Sequence, residues 1–270
     1  MKKFSENEAV EMKFGLSSLY LMNKPFKTLV NTLQESDVEN WEIVDEDLTK
    51  LDNKRVKLLN EIKSTKNLRY TVHAPFADTN IASFNQPLRK LVMKQLERSL
   101  SNAYLLESLV WVIHPGMHSG LTAIHPNEDA KINLASLKYL AKKADDTGVK
   151  ITVENMPDPF PWLFKKASDF KEFYSELGSE DIGIAFDAGH ANTVGQIDDF
   201  LKYSKDKIIH VHASDNDGSF DDHLQIGQGT INWRKIVDKL AEAKFKGFVM
   251  VETIENPIRD LEKLQSFYSA

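Results

Sequence analysis

The sequence predicts an α/β protein folded as a single (β/α)8 barrel, and three observations lead to that expectation. Eight times along the chain a short β-branched, apolar run ends in a metal-type ligand or opens a loop that carries one. Helical patterns lie between these runs, which is the alternation of βαβ units. The chain has 270 residues, and a closed barrel needs about 250, so one barrel fits with little left over. The first observation is the most specific. Ligands at the C-terminal ends of successive strands meet at one point only if those strands close into a parallel barrel.

The first strand is expected at 12–18 (MKFGLSS) and the second at 40–44 (NWEIV). The third, 69–73, ends in Tyr-Thr-Val-His73. A helix follows at 87–107, opened by Pro87, whose fixed φ suits a first turn. The fourth strand, 109–113, runs into His114-Pro-Gly. The next helix covers 129–147, with Leu137, Leu140, Ala141 and Ala144 on one stripe and Gly148 as its stop. The fifth strand, 150–154, ends at Glu154; the helix after it, 166–177, has Ser168 and Asp169 at its start and Gly178 at its end. The sixth strand, 182–187, ends at Asp187, and the seventh, 208–212, at His212. Asn232 is placed to cap a helix at 233–244, whose buried stripe is Ile236, Val237, Leu240 and Ala241. The eighth strand, 247–253, contains Glu252.

Most of these strands are continuous apolar runs, the mark of strands covered on both faces. The loops after strands 3, 4, 5 and 7 are long or irregular, and a (β/α)8 barrel carries its site on that face. No Pro/Gly/Ser-rich linker interrupts the pattern, so one barrel domain is expected over 12–270, preceded by an N-terminal extension at 1–11. A doubly wound sheet would need a Gly-rich fingerprint after the first strand, and there is none.

Composition narrows the function classes. Charged residues make up 27 % of the chain and the net charge is −6. That disfavours a broad nucleic-acid surface without excluding a local basic groove. The absence of cysteine removes disulfides and thiolate metal sites and suits a reducing compartment. Residues 1–11 are polar and acidic and no apolar run reaches membrane-spanning length, so a cytoplasmic protein with no membrane partner is expected.

The ligand-type residues are His73, His114, Glu154, Asp187, His190, His212, Asp221, His223 and Glu252. A carboxylate inside a strand buried on both faces costs several kcal/mol unless it is paired or metal-bound, which singles out Glu154, Asp187 and Glu252. Asp187-x-x-His190 and Asp221-x-His223 each send two ligands from one strand end or loop. Mixed imidazole and carboxylate donors suit Zn²⁺, Mn²⁺, Co²⁺ or Fe²⁺. Phe160 and Trp162, in the loop 156–165, are placed to wall the site or to pack that loop on itself. His118 and His125 read as loop residues, with His118 within reach of the site edge.

The motifs His73-Ala-Pro-Phe, His114-Pro-Gly, Glu154-Asn, Asp187-Ala-Gly-His190, His212-Ala-Ser-Asp215, Asp221-Asp-His223-Leu-Gln-Ile-Gly227-Gln-Gly229 and the terminal Glu252 occur in this order. Over about 12 to 255 the chain resembles the superfamily of xylose-isomerase-like (β/α)8 barrels, which holds sugar and sugar-phosphate isomerases and epimerases together with endonuclease IV. The isomerase resemblance implies a divalent metal at Glu154, Asp187, His212 and Glu252. Glu154 and Glu252 would exchange a proton with a metal-stabilised enediolate, and His190 would lie near a substrate oxygen. The endonuclease resemblance implies three zinc ions. His73, His114 and Glu154 would hold the first, Glu154, Asp187, His212 and Glu252 the second, and His190, Asp221 and His223 the third. The loop after the second strand is acidic (Asp45, Glu46, Asp47), and residues 18–28 and 44–50 hold no basic wedge for a duplex. The expected function is therefore a sugar or sugar-phosphate isomerase or epimerase using one to three Zn or Mn ions, with a small-molecule partner. The alternative is an abasic-site phosphodiesterase, with nucleic acid as partner.

Overall fold

In the computed structural model, which describes residues 12–178 and 181–268, eight parallel strands close into a barrel in chain order. They are β1 (Lys13–Ser17), β2 (Asn40–Val44), β3 (Arg69–His73), β4 (Val110–Ile113), β5 (Lys150–Glu154), β6 (Gly183–Asp187), β7 (Ile208–Ala213) and β8 (Phe248–Val251). β8 pairs with β1 in parallel, from Lys13 opposite Phe248 to Leu16 opposite Val251, and this register closes the barrel. The expected (β/α)8 barrel is the fold. Residues 1–11, read as an extension, lie outside the described residues.

Each strand alternates in chemistry, which the continuous runs concealed. The outward residues Trp41, Ile43, Tyr70, Val72, Trp111, Ile113, Val153, Ile184, Phe186, Val211 and Val249 belong to the core between barrel and helices. The inward set splits by height. Val110, Val112, Ala185, Phe248 and Met250 fill a smaller apolar cluster inside the barrel. Glu42, Thr71, Thr152, His210 and His212 are also fully buried, and they are polar. A period of two thus separates an apolar shell from a partly polar barrel interior.

The helices foreseen from sequence are α3 (Gln86–Leu105), α4 (Glu128–Asp145), α5 (Ala167–Leu177) and α8 (Trp233–Glu242). The Asn232 side chain accepts from Lys235 N at 3.0 Å, as a cap should. At α5 it is Asp169 that anchors the start, accepting from the backbone N–H of Lys165 and Lys166, and Ser168 bonds only to that aspartate. The structure adds α1 (Phe26–Glu35), α2 (Asn53–Lys66), α6 (Ala188–Thr193), α7 (Ile197–Tyr203) and α9 (Pro257–Tyr268). Among the described residues no helix is long and apolar enough to cross a membrane.

The loops on the C-terminal face brace one another. Met117 pairs antiparallel with Trp162, and His118 N donates to Pro161 O at 2.7 Å. Asn80 ties both to the loop after β3, accepting from Met117 N and donating to Met117 O. After β7, the Asp215 carboxylate accepts from the N–H of Asn216, Gly227 and Ile231, which pins a long loop to the barrel rim. A Cβ on Gly229 would lie 2.1 Å from Asn216 O, so only glycine allows that close return.

Candidate metal centre

The strand ends deliver the ligand-type side chains to one place. His73, Glu154 and Asp187 are the last residues of β3, β5 and β6; His212 lies one residue from the end of β7. His114 and Glu252 come directly after β4 and β8. Glu154 is 1 % exposed and stands at the centre. Its Oε2 lies 3.3 Å from His73 Nε2 and 3.2 Å from His114 Nε2; its Oε1 lies 2.9 Å from His212 Nδ1. Glu252 Oε2 and Asp187 Oδ2 approach the same His212 nitrogen at 3.5 and 3.8 Å. One donor atom from each of Glu154, Asp187, His212 and Glu252 falls within 4.8 Å of the others, and the same holds for His73, His114 and Glu154.

The remaining three meet through Asp221, whose Oδ2 lies 3.1 Å from His190 Nε2 and 3.2 Å from His223 Nε2. His190 reaches this point because α6 begins at the end of β6. Asp187 Oδ1 accepts from His190 N at 2.6 Å and caps that short helix. Gly189 is required in the turn, since a Cβ there would meet Ser214 Oγ at 2.6 Å. All nine predicted residues are therefore gathered in one cluster.

Main-chain carbonyls orient three of the rings. His73 Nδ1 donates to Ala74 O at 2.8 Å, His190 Nδ1 to Asn155 O at 2.8 Å, and His223 Nδ1 to Glu252 O at 2.9 Å. A carbonyl can only accept, so in each ring Nε2 is the nitrogen left facing the cluster.

Burial and the opposed charges of the cluster shift its ionisable groups in both directions. Burial pushes Glu252 up to about 7 and raises Asp187 as well. Burial alone would raise Glu154 too, but His212, His114 and His73 outweigh it and hold this carboxylate well below its usual range. Burial lowers His114 to about 4. At His190 and His212 the surrounding carboxylates overcome burial and hold the rings well above the ordinary imidazole value; His223, paired with Asp221, rises to about 9. Asp187 Oδ2, His114 Nδ1 and Asp221 Oδ1 are buried without a hydrogen-bond partner. Unpaired buried acceptors among mixed N and O donors fit a divalent metal such as Zn²⁺ or Mn²⁺.

Two buried groups belong to this neighbourhood although the ligand pattern did not single them out. Glu42 on β2 and His210 on β7 are both 0 % exposed, and Glu42 contacts His212. The cost of burying a carboxylate in a strand applies to Asn-Trp-Glu42-Ile-Val as it does to Glu154, and that was the available signal. Apolar side chains flank the cluster. Phe76 packs on His73 and His114, and Trp162 sets its ring edge-on to His114 at 5.4 Å. Phe160 pairs with Phe220 at 5.7 Å. His118 gives its Nδ1 to Asp129 at 2.7 Å, and His125 packs near Phe84, so neither ring joins the cluster.

By this fold and this cluster, the chain belongs to the xylose isomerase-like TIM-barrel family, whose model matches residues 25–268. It is 35 % identical over 263 residues to an uncharacterised protein of Methanocaldococcus jannaschii, covering 96 % of this chain and 90 % of that one. A crystal structure described as a D-tagatose 3-epimerase-like protein superposes with a TM-score of 0.90 at 34 % identity, over 96 % of this chain and 97 % of that one. A 3-keto-D-glucoside 4-epimerase from E. coli shares the fold at a TM-score of 0.77 and 19 % identity, covering 96 % and 99 % of the two chains.

Proposed function

We propose that this protein is a divalent-metal-dependent epimerase or isomerase of sugars. The observation that carries the proposal is the convergence of Glu154 and Glu252 on His212 Nδ1 from different walls of the barrel. Two carboxyl groups facing one point in a closed pocket can remove a proton from a carbon beside a carbonyl and return one to it from the other side. Their environments differ: in the metal-free cluster the neighbouring imidazoles hold Glu154 as the carboxylate, while burial favours the neutral acid of Glu252. The likeness to the D-tagatose 3-epimerase-like structure supports the same chemistry.

Glu154, Asp187, His212 and Glu252 would hold the metal, which supplies a positive charge that polarises the substrate carbonyl and stabilises the enediolate. His190 stands beside this set and orients a substrate hydroxyl. Phe76 and Trp162 offer an apolar wall for a sugar face. The loops after the strands carry Lys24, Lys50, Lys165 and Lys166 and no arginine, and Lys165 is paired with Asp158. Opposed to them in the same loops are Asp45, Glu46, Asp47, Asp78, Asp215, Asp217, Asp222 and Glu255. That balance favours an uncharged sugar over a sugar phosphate.

A second reading rests on the completeness of the cluster. His73, His114, His190, Asp221 and His223 exceed what one metal needs, and the full set would suit a three-zinc phosphodiesterase acting at abasic sites. Paired assays decide between them: solvent-deuterium exchange into free ketoses, and incision of a duplex carrying one abasic site. We expect exchange, retained to a substantial degree in His73→Ala and His223→Ala. Metal-dependent incision that those substitutions abolish, with no exchange into any sugar, would overturn the epimerase in favour of the nuclease.

A further inference from the structure

His73, His190 and His223 are oriented by main-chain carbonyls, but His212 is not. Its Nδ1 faces Glu154, Asp187 and Glu252. Its Nε2 faces a side chain, Glu42, at 3.1 Å from Oε1 and 3.3 Å from Oε2. Glu42 sits on β2 and His212 on β7, which are not neighbours in the barrel, so the contact crosses the barrel interior. Both residues are 0 % exposed, and no water-facing alternative exists for either group. Thr71 Oγ1 donates to Glu42 at 3.5 Å, and His210 Nε2 lies 2.9 Å away, off the direction of an aligned hydrogen bond. These separations put Glu42 in direct contact with both imidazoles.

We propose that Glu42 is a positioning residue for the metal centre. It holds the Nε2 proton of His212 and so aims the Nδ1 lone pair at the point where Glu154, Asp187 and Glu252 converge. A carboxylate only accepts, so the imidazole nitrogen facing it carries the hydrogen and the opposite nitrogen is free to ligate. A main-chain carbonyl cannot do this for His212, because its Nε2 points into the barrel interior, away from the loops that serve the other rings. The role rests on the metal reading of the site given above. It adds a reason for the burial of Glu42, whose side-chain contacts are His210, His212 and Thr71.

The test uses full-length protein with ¹⁵N-labelled histidine. Long-range proton–nitrogen NMR of the Zn²⁺-loaded wild type, with His212 assigned by the loss of its signals in His212→Asn, should show Nε2 protonated and Nδ1 bare. Zn²⁺ affinity is measured by competition with a chromophoric chelator for the wild type, Glu42→Gln and Glu42→Leu. Loss of a partner of this kind weakens metal binding by roughly 10- to 100-fold. We expect that loss for Glu42→Leu, and a smaller one for Glu42→Gln, whose carboxamide oxygen still accepts. Should Glu42→Leu not fold, Glu42→Gln and the wild-type spectrum decide. An unprotonated His212 Nε2 in the zinc form, or wild-type affinity in a folded variant of either kind, overturns the role of Glu42. A wild type that takes up no Zn²⁺ instead overturns the metal reading beneath it.

Discussion

At the scale of single residues, Glu252 is the most exacting test of the proposed chemistry. It follows β8, is 5 % exposed, and keeps its place through its N–H bond to Ala213 O at 2.9 Å. Burial favours its neutral acid in the metal-free cluster, and its carboxyl group can take and give a proton. Glu252→Gln keeps the shape and removes that capacity. We expect it to lower kcat by roughly 10²- to 10⁴-fold, the usual contribution of a general acid–base group. Unchanged proton exchange in a folded, metal-loaded Glu252→Gln would exclude it from the reaction. Glu154, Asp187 and Glu252 were legible in the sequence because a charge inside an apolar strand is costly unless a partner or a metal offsets it. Glu42 satisfied the same criterion but lacks a loop motif beside it. His210 lies in Ile-Ile-His-Val-His, where the period of two already puts both imidazoles on one face, and only the closed barrel shows that this face is the interior.

At the scale of elements, the connection from β2 to α2 shows how much of the acidity near the site is structural. Glu46 Oε2 accepts from Phe76 N and Ala77 N, latching the loop after β3, and Asp45 Oδ1 accepts from Leu51 N at 2.5 Å. Asp45 is 2 % exposed, and burial raises it from 3.8 to about 6. Between these values the folded protein retains a proton that the unfolded chain has released. Stability from this group therefore falls as pH rises from about 4 to 6, and the penalty is complete above 6. Asp45→Asn, which can still accept from Leu51 N, should gain on the wild type over that window. The shift corresponds to about 3 kcal/mol at most, at 1.36 kcal/mol per pKa unit. Melting curves at pH 4 and pH 7 check this; a difference between the two proteins that does not change with pH would show that Asp45 ionises freely. The helices α3, α4, α5 and α8 were legible from stripes, caps and stops. The short α6 was not, because Ala-Gly-His-Ala-Asn-Thr has no apolar period, and its start depends on Asp187 capping it from the end of β6.

At the scale of the whole molecule, the proposed metal centre would couple metal binding to stability. Carboxylates from β5, β6 and the end of β8 are forced together by closure of the barrel, and protons or a cation must relieve their repulsion. Divalent metal should raise Tm in a concentration-dependent way, through a stabilisation of about 2.7 kcal/mol at 100 times its Kd. For a chain of this size that amounts to several degrees. The gain should be larger at pH 8 than at pH 6, because Glu252 titrates at about 7 and must release its proton to ligate. An identical melting curve before and after chelation, in protein shown to be metal-loaded, would mean that the cluster is not a metal centre.

By itself the sequence determined the barrel, the strand ends and the nine residues gathered there. Each of these is written locally, in apolar runs of strand length, in stop and cap residues, and in charged groups where charge is costly. Tertiary structure alone decided which of those residues face each other and through which atoms. Closure with a parallel β8–β1 register puts Glu42 opposite His212, and the cross-loop bonds of Asn80 and Asp215 set Trp162 and Asp221 at the rim. Contacts between β2 and β7 or between separate loops depend on curvature and register summed over the whole sheet, and no short stretch of sequence encodes that sum.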